Sequence, residues 1–361
     1  AAELNVAVPA GGVSHTGVAG LAPGGGTGYL ARMFGATVDH IVEIEVVVAD
    51  GRILRTNEET HPDLFWALKG AGHNFGVATE FVFSTVEVPG LATVRQALYG
   101  ADDRLDILRF FREWAVDAPS HIGTYVRLLR CPPYWSQVPV EHRGRPIISV
   151  ATVSYGDPAA ATETAAPMFA QGVPIYESLR SMPHVTLQHA TDDEFRHGIR
   201  HYWRNMKLTG LPDELLTTAL EWSDRYPGRS LNSSANIAHQ LMCPFEIIAG
   251  VPTPRDSSHD STTGVGGRYS ANIGGDWEYG DERAELVQWV KDFDDAMEPF
   301  RSGTYINFAS TQGDRTAARS VYGDKYPRLV AVKREYDPAN VFDRGLEDLS
   351  EVADDTRVVA L

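Results

Sequence analysis

"GLAPGGGTGYLARMFG", residues 20–35, sets Gly24, Gly25 and Gly26 in a row, with Gly28 close behind, directly ahead of a short apolar helical pattern. Bare backbone of this kind lets amide donors reach a phosphate with no Cβ in the way. Within it, Gly26-Thr27-Gly28-Tyr29-Leu30-Ala31 fits a GxGxxA dinucleotide pattern, and Asp50 lies where a ribose-binding acid would sit. The lead-in speaks against that fold. A Rossmann loop leaves a buried parallel strand, whereas "HTGVAGLAPGG" (15–25) is too rich in Gly and Pro to form one. Asp50 also precedes Gly51 in a hairpin turn, which explains it locally. NAD is therefore not the expected ligand. Thr27 is expected to cap a helix running through Phe34, with Gly35 as its stop.

Downstream, "IVEIEVVVADGRILRT" (41–56) alternates Val42, Ile44, Val46 and Val48 against Glu43 and Glu45, predicting an antiparallel hairpin with one buried face. "ETHPDLFWALKGAG" (59–72) predicts a helix with Thr60 as cap, Pro62 in its first turn, a stripe of Leu64, Phe65 and Leu68, and Gly70 as stop. "NFGVATEFVFSTVEV" (74–88) reads as a further strand. Residues 1–88 thus form a first α+β region.

After "VPG" (88–90) a second α+β region begins. It holds helices near 102–116 and 211–226 and strands at "IGTYVRLL" (122–129), "IISVATVSY" (147–155), near 234–242 and at "RYSANIGGDW" (268–277). Residues 253–267 are a polar insert, and Leu286, Trp289, Val290, Phe293 and Met297 mark a helix stripe. Tyr305-Ile306-Asn307-Phe308 reads as a short strand. No internal repeat is visible.

The 361 residues carry a net charge of −16, which argues against nucleic acid, whose binding needs a positive footprint. No apolar run reaches membrane-spanning length and no targeting segment is visible, so a soluble chain, cytoplasmic rather than secreted, is expected. Cys131 and Cys243 have no metal-site or disulfide spacing and read as structural thiols. Ser14, in Gly12-Val13-Ser14, lacks the second glycine of a nucleophile elbow, since Thr16 stands there. His197 and His201 could share a helix face at i,i+4, but without a following Glu they read as solvated, and no metal is expected.

The run from Pro9 to Phe81, "PAGGVSHTGVAGLAPGGGTGYL…GAGHNFGVATEF", resembles the later half of the FAD-binding domain of the berberine bridge enzyme-like flavin oxidases. "YINF" (305–308) and "YGDKYPRLVAVKREYDPANVF" (322–342) resemble that family's C-terminal segment, and "HYWRNMKLTGLPDELL" (201–216) its middle. The resemblance implies a partial PCMH-type FAD-binding domain at 1–88 (its second half only), an α+β substrate domain at 89–302 whose antiparallel sheet is flanked by helices, and a segment at 303–361 returning to the FAD domain. It implies FAD as cofactor and hydride transfer from a hydroxyl, sugar or secondary-metabolite C–H of a small-molecule substrate, with dioxygen as electron acceptor. Carried over by position, Thr16, Gly17, Val18, Ala19, Gly20, Gly24, Gly25 and Gly26 would approach the flavin and its pyrophosphate. Gly76 and Val77 would touch the adenosine half, and Tyr305 and Asn307 would lie by the ring.

The sequence also departs from that family. Val13-Ser14-His15 stands where many relatives carry a flavin-bonding cysteine, so no cysteinyl link is expected. The family's first lobe would lie upstream of Ala1. Phe308 replaces the tyrosine that acts as base in several relatives and cannot accept a proton. Residues 241–267 lack the expected Gly-Gly pattern, leaving Glu246 as the nearest carboxylate, and the tail after Phe342 lacks the Asn-rich ending. Catalytic candidates are Tyr305, Asn307, Gln240 and Glu246; Gln240, Tyr269 and Trp277 occupy strand positions that could face substrate or pack in the sheet. The alternative is a truncated, non-catalytic remnant or binding module of the same fold that holds FAD weakly or not at all.

Overall fold

The computed structural model describes residues 2–133, 135–192, 195, 197–227, 245–249, 269–277, 283–308 and 321–343. Their architecture is α+β and rests on two main sheets. A short ladder of β1 (Val6–Ala7) with β5 (Val86–Glu87) accompanies them.

The smaller sheet joins β2 (Ile41–Val47), β3 (Ile53–Thr56) and β4 (Val77–Phe83) in the order β3-β2-β4, all antiparallel. Its hairpin turns at Asp50-Gly51, where Gly51 has φ +86°. Ile44, Val46 and Val48 are buried as the alternation requires, but Val42 is half exposed and Ile41 is buried in its place. A register shift between Ile41 and Glu43 is the cause, because an added residue reverses which side chains face inward. Helix α3 (Pro62–Ala71) lays Leu64, Phe65 and Leu68 against that core. His61, with φ +50°, precedes its first turn in place of Thr60, and the helical geometry breaks at Lys69 and Gly70.

The glycine-rich stretch forms two single turns, α1 (Val18–Leu21) and α2 (Ala31–Phe34), and Gly35 stops the second. Thr27 lies outside α2. The backbone before it is engaged elsewhere: Thr37 N–H bonds to Gly26 O at 2.9 Å and Val38 N–H to Gly25 O at 2.7 Å, so these carbonyls do not enter a helical ladder.

The larger sheet has seven antiparallel strands in the order β10-β12-β11-β7-β8-β6-β9. These are β6 (Leu91–Tyr99), β7 (Ile122–Arg130), β8 (Pro146–Gly156), β9 (Tyr176–Met182), β10 (Arg200–Leu208), β11 (Phe245–Ala249) and β12 (Tyr269–Trp277). One face packs on α4 (Arg104–Asp117), α5 (Pro158–Phe169), α7 (Asp213–Asp224) and α8 (Arg283–Met297), with the predicted stripe of α8 buried throughout. A short helix, α6 (His184–Gln188), follows β9. The opposite face turns toward the glycine stretch, where Tyr29 meets Tyr125 edge-on at 6.5 Å.

The chain then returns to the smaller sheet. Helix α9 (Tyr326–Tyr336) buries Leu329, Val330 and Tyr336 in the core that holds α3. Residues 305–308 are not a strand: Ile306–Phe308 is a 3-10 turn. Side chains replace a ladder there, since Tyr305 N–H donates to Asn205 and the Asn307 amide to Leu21 O. The strand expected near 234–242, the insert at 253–267 and Cys243 lie outside the described residues, while Cys131 is buried and its thiol is pushed up to about 11 by that burial.

Candidate cofactor and substrate grooves

A groove of about 560 Å³ runs beneath the glycine stretch. Ala19, Gly20 and Gly24 form one wall, Gly72, His73, Gly76 and Val77 another, and Ile306 and Asn307 close it from the C-terminal segment. Three distant pieces of sequence therefore meet in one cleft.

Two glycines are required by close approach. A Cβ on Gly24 would stand 1.9 Å from Asn307 Oδ1, and one on Gly76 would stand 2.5 Å from Val47 O. Neither neighbour could yield without moving the groove wall.

Tyr305 locks the loop from below. Gly26 N–H donates to its hydroxyl at 2.7 Å, and the Asn307 Nδ2 amide donates to the same oxygen at 2.6 Å and to Leu21 O at 2.9 Å. Burial pushes the Tyr305 phenol up to about 12, so it stays protonated at neutral pH and serves as a strut rather than a base.

His73 was not singled out by the sequence, yet it lines the groove. Burial, with the Lys333 ammonium nearby, lowers its imidazole to about 4, so a neutral ring faces the cleft. Lys333 is itself buried, donating to Asp337 Oδ2 at 2.6 Å, Asn74 O at 2.7 Å and Phe342 O at 3.1 Å. This knot ties α9 to the groove's His73-Asn74 wall.

Of the other residues proposed for the cofactor, Thr16, Gly17 and Val18 are exposed around the start of α1 and do not line the groove. Gly25 and Gly26 sit behind its wall, Gly26 through its bond to Tyr305.

A second groove of about 440 Å³ lies on the open face of the larger sheet. Tyr29 from the glycine stretch, Gln96, Tyr125, Arg127 and Tyr176 from the sheet, and Thr191 border it. Strand register sets Glu246 of β11 opposite Arg127 and Asn272, in the row that continues to Asn205. Gln240 lies outside the described residues. Tyr269 and Trp277 do not face this groove: both are buried on the helix side, where the Tyr269 hydroxyl donates to Arg112 O. Their odd-numbered parity on β12 puts them with Ala271 and Ile273.

The segment after β9 is stitched to the glycine stretch. Gln188 donates to Gly11 O, Thr191 to Gly12 O at 3.1 Å, and the Ser14 hydroxyl to Asp192 Oδ2 at 2.7 Å. His197 and His201 share no helix face, because His201 opens β10 and bonds through Nδ1 to Asp276, which also accepts from Trp203 Nε1 at 3.0 Å. Among the described residues no His, Cys, Asp and Glu cluster could hold a metal, and no helix is long and apolar enough to cross a membrane.

Among its described lining residues the first groove has four glycines, apolar side chains and no Lys or Arg, which suits a large, partly apolar ligand better than a free anion. Comparison with known proteins agrees. A model for an FAD binding domain matches residues 1–57, and one described as berberine and berberine like matches residues 304–344. An FAD-linked oxidoreductase of Dictyostelium discoideum is 25% identical over 348 residues, covering 94% of this chain and 70% of that protein. The xylooligosaccharide oxidase of Thermothelomyces thermophilus is 25% identical over 345 residues, covering 90% and 66%. The crystal structure of 6-hydroxy-D-nicotine oxidase from Arthrobacter nicotinovorans superposes with a TM-score of 0.79 at 22% identity, over 96% of this chain and 74% of that one.

Proposed function

We propose a reaction for this chain from the premise that it belongs to the berberine bridge enzyme-like FAD-linked oxidoreductases. It oxidises a hydroxyl-bearing small molecule, a sugar or a secondary metabolite, and passes the electrons to dioxygen. The observation that carries this reading is the placement of two grooves on either side of one loop: Gly20 and Gly24 border the first, and Tyr29 the second.

In this reading FAD supplies the two-electron acceptor. Ala19, Gly20, Gly24, Gly76, Val77 and Asn307 would hold it, the glycines by keeping the wall slim and Asn307 through Oδ1 as an acceptor, since both hydrogens of its Nδ2 go to Tyr305 and Leu21. Tyr305 keeps the loop in place. The substrate lies on the open sheet face, where Tyr29 and Tyr125 offer ring faces and Gln96 and Arg127 offer donors to hydroxyl groups. Phe308 takes no proton, and Glu246, in the polar row with Arg127 and Asn272, is the carboxylate assigned to receive one. Residues 1–88 and 303–361 form the cofactor domain in this scheme and 89–302 the substrate domain.

The test is anaerobic mixing of the FAD-loaded chain with xylobiose, other sugars, alcohols and amines. Bleaching of the visible flavin band, then peroxide formation when air is admitted, is the expected result. A flavin that stays oxidised against the hydroxyl compounds but is reduced by amines overturns the substrate class, and one that no compound reduces overturns the oxidase reading.

A further inference from the structure

We propose that Asn205, on the edge strand of the large sheet, is a cofactor-positioning residue that acts through Tyr305 on the glycine loop; this rests on the reading of the first groove as the FAD site. Asn205 is buried to 1% exposure, and its side chain links the two regions of the molecule. Its Oδ1 accepts the Tyr305 N–H at 3.1 Å. Its Nδ2 donates within a set of acceptors on β12: Asn272 Oδ1 at 2.7 Å, Ser270 Oγ at 2.9 Å and Ala271 O at 3.1 Å. A backbone N–H can only donate and a backbone carbonyl can only accept, so these two partners fix the amide's orientation.

Beyond Tyr305 the path continues in one step to the groove. The Tyr305 hydroxyl takes Gly26 N–H and the Asn307 amide, and Asn307 in turn holds Leu21 O and stands where Gly24 admits no Cβ. The Asn205 carbonyl also accepts from Arg301, which bonds Thr304 at 3.1 Å, so both ends of Asn205 grip the segment leading into Tyr305. The sheet that presents Asn272 and Ser270 on its open face thereby sets the height of the loop that holds the cofactor. Nothing in the local sequence around Asn205 carries this role; the partners are 65 to 100 residues away.

The test is a double-mutant cycle read by FAD fluorescence quenching, with thermal unfolding of each chain measured without FAD. Asn205→Ala and Tyr305→Phe are each expected to raise the FAD Kd about 10-fold, the worth of one good hydrogen bond. The double variant is expected to match a single one, because the effect of Asn205 passes through Tyr305. Asn205→Asp, compared with wild type at about pH 5 where burial keeps its carboxyl protonated, can both accept the Tyr305 N–H and donate to Ala271 O and should hold Kd within about 3-fold, restoring the visible circular dichroism of bound flavin that the alanine variant alters. Asn205→Ser is carried alongside, so that a folding failure of the alanine variant leaves the cycle complete. Wild-type affinity in Asn205→Ala, effects that multiply to about 100-fold in the double variant, or an Asp variant as weak as Ala would each overturn the inference. A wild-type chain that binds no FAD overturns the cofactor reading itself, whereas wild-type binding with unaffected Asn205 variants overturns only this proposal.

Discussion

The groove under the glycine stretch sets four glycines, Gly20, Gly24, Gly72 and Gly76, among apolar side chains such as Leu68 and Phe81, whereas the groove on the large sheet is lined by polar and aromatic side chains gathered across strand register. In the first, a single added Cβ meets a neighbour at 1.9 or 2.5 Å. In the second, Gln96 comes from β6 and Tyr125 and Arg127 from β7, and each could change without moving the sheet. A cofactor common to a family suits a wall fixed by close approach at Gly24 and Gly76, and a variable substrate suits a surface whose side chains can change.

The largest expected effect lies at the knot behind the first groove. Lys333→Met leaves Asp337 buried without its ammonium partner and should cost about 3–5 kcal/mol in urea unfolding. Full wild-type stability in that variant would break the claim that α9 secures the cofactor wall. Next in size, Gly24→Ala should weaken FAD binding by about 5- to 150-fold, the equivalent of about 1–3 kcal/mol of overpacking. Gln96→Ala, on the other groove, should leave FAD affinity within about 2-fold while lowering substrate affinity. Equal effects of both variants on FAD would erase the difference between the two walls.

His73 gives a pH signature. Its folded value near 4 lies below the ordinary 6.5, so between those values the unfolded chain binds more protons and stability rises with pH. Its contribution is complete above about pH 6.5 and is lost as pH falls toward 4, at no more than about 1.4 kcal/mol per pH unit. His73→Gln should flatten that limb of the stability profile; an unchanged slope would show that the imidazole is not held neutral. The smallest effect is that of Val42→Ser, within about 0.5 kcal/mol, against about 2–4 kcal/mol for its buried neighbour Ile41→Ser on β2. Equal costs would remove the bulge.

The same contrast explains what the sequence disclosed. The glycine motif, the hairpin turn and the α8 stripe are local patterns, and they were readable because neighbours in sequence remain neighbours in space. The groove on the sheet was not, since Gln96, Arg127 and Thr191 meet only after seven strands have found their register. Alternation along β12 identified two faces without saying which the helices would cover, and Tyr269 and Trp277 fell on the covered one. The bulge at Val42 and the strand at His201 were hidden for a related reason: a one-residue shift, or a change from helix to strand spacing, alters facing without altering composition. His73 had a signal in its place within "GAGHNFG", between two glycines of the groove wall.

The central claim is that the cleft between Gly20, Gly24, Gly76 and Asn307 holds FAD. Equilibrium titration of the purified chain and its Gly24→Ala variant with FAD tests it most directly. Saturable one-to-one binding that the variant loses is the predicted result; no binding by the parent chain, or equal binding by both, would contradict it.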